Sequence, residues 1–430
     1  MRSISYQQKN FKTAIKTLSR RSQPLAEVEQ TVAEVIAQVK KEGDQALLAL
    51  GKKFDRVDFR KGSDLKVSAA DLQAAGKSLG TREKRAIAAS RKNVIAFATQ
   101  SLRKNWTATN SQGAQVGEVF QPFQRVGIYV PGGTAPLVST VNMTVALAKA
   151  AGVPEIVVCT PPALDGSINP ALLYALHEAG ATEVYKVGGA QALAAMAVGT
   201  RTIAPVAKVF GPGNSWVVEA KRQLFGLVAV DLLPGPSEIL VLCDSSAKPA
   251  WIATDLLAQA EHGPDSVVVL VSDSEKTLAA VQQEVEKQSQ TLTRQKPLRE
   301  VLKKGSTYVL VKTMEDGVEI ANDFAPEHVL LISRREKNLL PKIKTAGAIF
   351  LGNYSAVAVG DFLAGPSHEL PTGGAGKSFP GLTVDQFQRR TSVIKLDRAA
   401  LEKSAPIVQT FAAMEGLDAH GRSASIRLGK

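Results

Sequence analysis

Between about residues 124 and 353 the chain alternates short apolar, β-branched runs with amphipathic stretches, and few architectures accommodate that pattern. The runs are VGIYV (126–130), EIVVC (155–159), EVYKV (183–187), EILVLCD (238–244), SVVVLVS (266–272), TYVLV (307–311), HVLLIS (328–333) and AIFLG (348–352). Segments such as PALLYALHEAG, SWVVEAKRQLFG and PAWIATDLLAQAEH separate them and carry helical spacing. Strands that are apolar on both faces and joined through helices make parallel sheets covered on both sides. So many strands exceed one comfortable sheet, and they divide into two Rossmann-like units. A chain of 430 residues agrees, being too long for one ordinary core.

The flanks read differently. The first hundred residues use Lys, Arg, Ala and Gln heavily and read mainly as helices. The basic start, MRSISYQQKNFKTAIKTLSRRS, lacks the apolar core of a secretory signal. It reads as a helical arm, with apolar residues at Phe11, Ile15 and Leu18. After residue 353 comes GDFLAGPSHELPTGGAGKSFPG, too long for a plain connector and therefore a candidate functional loop. The tail beyond about 383 carries helical periodicity.

Composition narrows the function. A net charge of +12 invites nucleic acid, but Lys and Arg are scattered among acids and only 5% of residues are aromatic. Few stacking platforms exist, so no nucleic-acid partner is expected. No run reaches the roughly 18 uncharged apolar residues of a membrane helix, and no membrane association is expected. Cys159 and Cys243 each sit in an apolar run, as free buried thiols of a reducing, cytoplasmic protein would. They form no C-x-x-C pair, which disfavours a cysteine zinc site.

Histidine is scarce. His177 falls on a helix-like segment and reads as a surface residue, whereas the other four stand in QAEHGPD, APEHVLL, GPSHELP and GLDAHGR. Gln259 and His262, three apart, share one face near a helix end that Gly263 and Pro264 close. They suit a zinc ion, although from spacing alone His262 serving the helix dipole is the commoner use. Asp361 opens the glycine-rich loop, where a carboxylate serves either a metal or turn amides. Glu327 and His328 precede a strand whose alternation sends their side chains to opposite faces. A histidine there suits proton abstraction and a glutamate suits activating water; a solvated strand-entry pair is equally consistent.

Four turns complete the inventory. PGG (131–133), GGAQ (188–191) and GPGN (211–214) each follow an apolar run, where open α/β sheets bind ligands. GPGN also precedes a helix, whose free N–H groups attract phosphate, although it is not the G-x-G-x-x-G fingerprint. GPSE (235–238) lies at a strand entrance instead.

Taken together, VGIYVPGGTAPLVSTV, YKVGGAQALAAMA, VFGPGNSWVVEAKR, PGPSEILV, DLLAQAEHGPDS, APEHV, GDFLAGPSHELPTGG and EGLDAHGRSASIR resemble the histidinol dehydrogenase family, in the family's order. EGDQALLALGKKFD (42–55) extends the likeness toward the N-terminus. The resemblance implies an α/β fold of two Rossmann-like parallel-sheet domains, a helical N-terminal arm and a small C-terminal helical tail domain, assembled as an intertwined homodimer. The chain then divides into an arm (1–25), a discontinuous first domain carrying most metal and catalytic residues (26–130 plus 236–382), an NAD-contacting second domain (131–235) and a tail (383–430).

The resemblance also implies roles. Zinc ligands fall on Gln259, His262, Asp361 and His420, with one Zn2+ per subunit. The acid/base pair falls on Glu327 and His328. NAD contacts fall on Tyr129, Gln191 and Asn214. Substrate contacts fall on Ser237, Gln259, His262, His328, Asp361, Glu415 and His420, the last two reaching the partner's site from the tail. The implied reaction is the four-electron oxidation of L-histidinol to L-histidine through histidinaldehyde, with two NAD+ reduced. A related enzyme acting on another small alcohol, such as a sulfonated diol, would share this machinery. GPSE and Glu415 favour an amino alcohol, because a carboxylate pairs with an ammonium group. Asn142 and Pro234 depart from the family's usual residues near these loops.

Overall fold

The computed structural model describes residues 2–18, 26–132 and 136–429. Its first strands are β1 (Arg2–Ser5), β2 (Trp106–Thr109), β3 (Gln115–Pro122), β4 (Arg125–Tyr129) and β5 (Glu155–Thr160). Then follow β6 (Glu183–Lys186), β7 (Lys208–Phe210), β8 (Ala229–Val230), β9 (Glu238–Cys243) and β10 (Val267–Ser272). The last are β11 (Ser306–Leu310), β12 (His328–Ile332), β13 (Ala348–Leu351) and β14 (Gln388–Lys395).

Two parallel sheets form, as the alternating pattern requires. One is five-stranded in the order β6-β5-β4-β7-β8; the other is six-stranded in the order β1-β11-β10-β9-β12-β13. Both are covered on both faces. Along β5, Val157 and Cys159 enter one core while Ile156 and Val158 enter another. Along β9, Ile239 and Val241 face one core and Leu240 and Leu242 the other. Period-two alternation between two apolar faces is what makes these strands continuous hydrophobic runs.

Each sheet reverses its winding once. In the five-stranded sheet β4 leads outward through β5 and β6, and β7 and β8 lie on its other side. The crevice of this switch point opens between the ends of β4 and β7. In the six-stranded sheet the corresponding reversal separates β9 from β12.

Several expectations need correction. The segment 26–130 does not accompany the six-stranded sheet. Val28, Val32, Val35 and Ile36 of the helix Ala26–Glu42 pack with Tyr129, Leu193 and Val209, and Ile87 and Val94 of the helix Thr81–Ser101 pack with Val126, Ile128 and Phe210. β4 itself is central in the five-stranded sheet. Amphipathic helices show which face is buried but not against which sheet.

The arm is not purely helical. Arg2–Ser5 pairs in parallel with β11, placing Ile4 in the core, and the helix spans only Phe11–Lys16. The rest of the arm, residues 1 and 19–25, lies outside the described residues. The tail is not wholly helical either. β14 joins β3 and β2 in an antiparallel three-stranded sheet before the helices Arg398–Glu415 and Asp418–Ser425. Its polar-rich sequence, QRRTSVIK, carries no continuous apolar signature because it is largely exposed.

Candidate functional site

The catalytic candidates gather at the entrance of the six-stranded sheet. Glu327 and His328 stand where β12 begins, after Ala325, a non-glycine residue held at φ 50°. Such a backbone costs on the order of 1–3 kcal/mol and persists only where its surroundings enforce it. Both side chains grip the neighbouring strand. Glu327 Oε2 accepts from the Glu238 N–H at 2.8 Å, and His328 Nδ1 lies 3.1 Å from the Glu238 carbonyl. Glu327 Oε2 and His328 Nδ1 are only 3.6 Å apart. The expected opposite-face arrangement is therefore corrected: Glu327 precedes the regular strand, and alternation does not yet govern it.

A carbonyl can only accept, so His328 Nδ1–H donates to Glu238 and Nε2 remains for chemistry. Nε2 stands 3.6 Å from Asp361 Oδ1. Burial opposes protonation of His328, yet Glu327 and Asp361 together raise its pKa. Burial also raises the Glu327 carboxyl above the usual range. Titratable groups of shifted pKa in one enclosed place are candidates for proton transfer.

Asp361 lies inside the short helix Val357–Phe362 rather than in an open turn. A Cβ on the preceding Gly360 would come within 2.5 Å of the Phe350 ring, so that glycine serves close packing. Burial opposes ionisation of Asp361, but the hydrogen bond and charge of His328 keep its pKa low. His262 feels both Asp361 and His328, and burial lowers its pKa toward the neutral imidazole. Gln259, 3% exposed, closes the helix Pro249–Ala260, where the His262 N–H reaches its carbonyl at 3.3 Å; its side-chain Nε2 has no hydrogen-bond partner among the described residues. Ser237 immediately precedes β9. The entrance thus brings His262, Glu327, His328 and Asp361 within reach of one another's charge, with Ser237 and Gln259 at the ends of adjoining elements.

His368 and Glu369 belong here too, although the sequence singled out only the setting of His368. His368 Nδ1–H donates to the Asp361 carbonyl at 2.8 Å, leaving Nε2 to accept from Thr140 Oγ1 at 3.2 Å. Ser367 Oγ donates to the Met143 carbonyl at 3.0 Å. Thr140 and Met143 lie on the helix Val138–Ala150, which follows β4 of the other sheet. The glycine-rich loop therefore links the entrance of one sheet to the exit of the other. Buried Glu369 sits 3.6 Å from His368 Nε2, and burial pushes its carboxyl pKa well above the usual range. Asn142, on the same helix, donates to the Ile87 carbonyl at 3.1 Å and so joins two helices.

The other candidates line the C-terminal edge of the five-stranded sheet. Tyr129 ends β4, and its hydroxyl accepts from the Gly189 N–H at 3.2 Å. Gln191 lies in the first turn of the helix Gly189–Val198 after β6 and is 2% exposed. Asn214 caps the helix Ser215–Leu224 after β7, its Oδ1 accepting from Val217 N–H at 3.2 Å. Pro131 and Gly132 follow β4, while Gly133 of that turn lies outside the described residues. Burial raises the carboxyl pKa of Asp55, a residue not anticipated, beside Gly188 and Gln191.

Glu415 and His420 are not brought to this site within the chain. Both are exposed, at the end of the helix Arg398–Glu415 and within Asp418–Ser425. Among the described residues no group of three His, Cys, Asp or Glu side chains is placed to hold a metal. The chain alone offers a carboxamide, a neutral imidazole and an ionised carboxylate. That donor chemistry suits zinc and is one ligand short of a tetrahedral set.

The family profile described as Histidinol dehydrogenase matches residues 18–428. A histidinol dehydrogenase of Xylella fastidiosa (strain Temecula1) is 41% identical over 432 residues, covering 100% of this chain and 99% of its relative. One from Heliobacterium mobile is 41% identical over 405 residues, covering 94% of this chain and 95% of its own. The crystal structure of histidinol dehydrogenase from Elizabethkingia anophelis superposes with a TM-score of 0.95 at 34% identity, covering 100% of this chain and 98% of that one.

Proposed function

The chain belongs to the histidinol dehydrogenase family, and from that premise we propose how its own residues carry the reaction. It is an oxidoreductase of histidine biosynthesis that converts L-histidinol to L-histidine, the last step of that pathway. In the proposed scheme two NAD+ are co-substrates. Histidinol, water and two NAD+ give histidine, two NADH and three protons, so the alcohol carbon loses two hydrides and gains one oxygen.

The observation that carries the reading is the grip of Glu327 and His328 on the backbone N–H and C=O of one residue, Glu238, with His328 Nε2 turned to Asp361. With Nδ1 fixed by a carbonyl, the neutral form of His328 takes the hydroxyl proton on Nε2 as hydride leaves the carbinol carbon. Glu327, whose pKa is raised by burial, then takes a proton from water as it adds to the aldehyde. The resulting hydrate loses the second hydride. Cys159 and Cys243 are fully buried, and burial raises both thiol pKa values, so neither offers the thiolate of a covalent route.

Gln259, His262 and Asp361 would hold Zn2+, one ion per subunit, with His420 from a second copy as the fourth ligand. Bound there, zinc would act as a Lewis acid and orient the substrate's nitrogen ligands. Ser237 and Glu415 add substrate contacts, and Tyr129, Gln191 and Asn214 contact NAD at the opposite edge. The tail supports an intertwined homodimer. Its helix Arg398–Glu415 buries only Ala400, Ala405 and Ala412, while Phe411 and Met414 are 56% and 68% exposed. Apolar side chains facing outward along a helix call for a partner surface. Two buried free cysteines fit a cytoplasmic, reducing location.

The test combines zinc analysis with NADH stoichiometry on the purified protein. One zinc per subunit and two NADH per histidinol are expected. One NADH per histidinol, with aldehyde accumulating, would remove Glu327 from its assigned role.

A further inference from the structure

The side chains of Lys221 and Asp231 are 1% and 2% exposed. The Lys221 ammonium donates to the Gly211 carbonyl, to Asp231 Oδ1 at 2.6 Å and to the Leu232 carbonyl at 3.4 Å. Asp231 Oδ2 in turn accepts from the Gly211 N–H at 2.8 Å. All three ammonium hydrogens have acceptors, and both backbone groups of Gly211 are held by one ion pair. Gly211 needs that hold: its φ is 105°, and a side chain there would strike the Tyr129 carbonyl.

A buried ion pair adds little net stability, because desolvating each charge costs several kcal/mol and an apolar pair fills the space as well. What the pair does supply is fixed geometry at a particular place. Gly211 opens the turn at the β4/β7 switch point, and Asp231 and Leu232 start the segment from β8 to β9, which carries Ser237 and ends at Glu238. The same segment is tied to the glycine-rich loop, since the Gly235 N–H donates to Thr372 Oγ1.

We propose that Lys221 and Asp231 are positioning residues for the dinucleotide, clamping the 211–214 turn against the segment that crosses to the catalytic sheet. The proposal rests on the reading of the five-stranded sheet's exit edge as the NAD site. Neither residue touches the reacting atoms; they set where the turn stands.

The experiment measures NADH affinity by fluorescence on the zinc-loaded dimer, together with melting temperature and the separate KM values. The variants are K221M/D231L, which removes both charges and refills the space, and D231N, which keeps the shape. For the double variant the expected result is a retained melting temperature with NADH Kd and the KM for NAD+ raised about tenfold or more, the scale of lost support for a binding group. The KM for histidinol and the zinc content stay at the wild-type level. D231N should fall between. Wild-type NADH affinity in both variants overturns the proposal, as does an equal loss for NAD+ and histidinol, which would mark a general structural role. Should Q191A and N214A also leave NADH affinity unchanged, the NAD edge itself is misassigned; a loss in those two alone confines the failure to the clamp.

Discussion

His328 Nε2 and Asp361 Oδ1 stand 3.6 Å apart, joining the entry of β12 to a helix that lies in a separate part of the chain. The imidazole is fixed at its other nitrogen by Glu238, so its free nitrogen has one direction to act in. His328→Asn keeps an amide near Glu238 and removes the proposed base. Turnover should fall about 10²–10⁴-fold, the usual contribution of a general base, with zinc content unchanged by metal analysis. His262→Asn, by contrast, should lower both; zinc retained at the wild-type level in that variant would exclude His262 as a ligand.

Gly211 tolerates no side chain. A Cβ would meet the Tyr129 carbonyl, and φ of 105° is a conformation that L-residues rarely adopt. Gly211→Ala should cost about 2–4 kcal/mol in denaturant unfolding, from backbone strain and overpacking together. Because the turn lies at the switch point, NADH affinity should drop as well.

Asp255 gives a pH test outside the catalytic pair. Its Oδ1 accepts from the Val357 N–H at 3.2 Å, the first residue of the helix that bears Asp361. Burial raises its pKa to about 6, against the opposing effect of that hydrogen bond. The native state therefore binds this proton more tightly than the unfolded chain does. Stability from this group falls as pH rises between the unfolded value of about 4 and about 6, then stays level. Asp255→Asn should flatten that decline in unfolding curves while its carbonyl keeps the cap. Asp255→Ala should lose the cap, at about 1 kcal/mol.

The legible part of this molecule is what local pattern controls. Each of the eight apolar runs became a strand, because a strand inside a covered parallel sheet must be apolar throughout, with the edge strands β6 and β13 less fully buried. The three glycine turns fell at strand ends for the same reason: the runs fixed where the strands stop. Tertiary choices were less visible. Nothing in the spacing of Val28, Val32 and Val35 says which sheet their helix covers, and the polar edge strand β14 looks like helix or loop. The roles of Lys221, Asp231 and Glu369 were invisible, since a buried charge and a surface charge are written with the same letter. His368 stood out through its Gly/Pro setting, but only its bond to Asp361 gives it a role.

The exposed tail supplies a decisive test of the shared site. If His420 completes the partner's site, a chain carrying His328→Asn and one carrying His420→Asn fail at different halves of the same centre. Each homodimer should be inactive. In a mixed dimer one centre receives both defects and the other receives none. After equal amounts of the two variants are unfolded and refolded together, about half the dimers are mixed and each has one intact centre of two, so about a quarter of wild-type activity should return. Mass-tagged subunits confirm that mixing has occurred. Mixed dimers that form and stay inactive would show that His420 acts within its own chain, and the apolar outer face of Ile407, Phe411 and Met414 would then need another explanation.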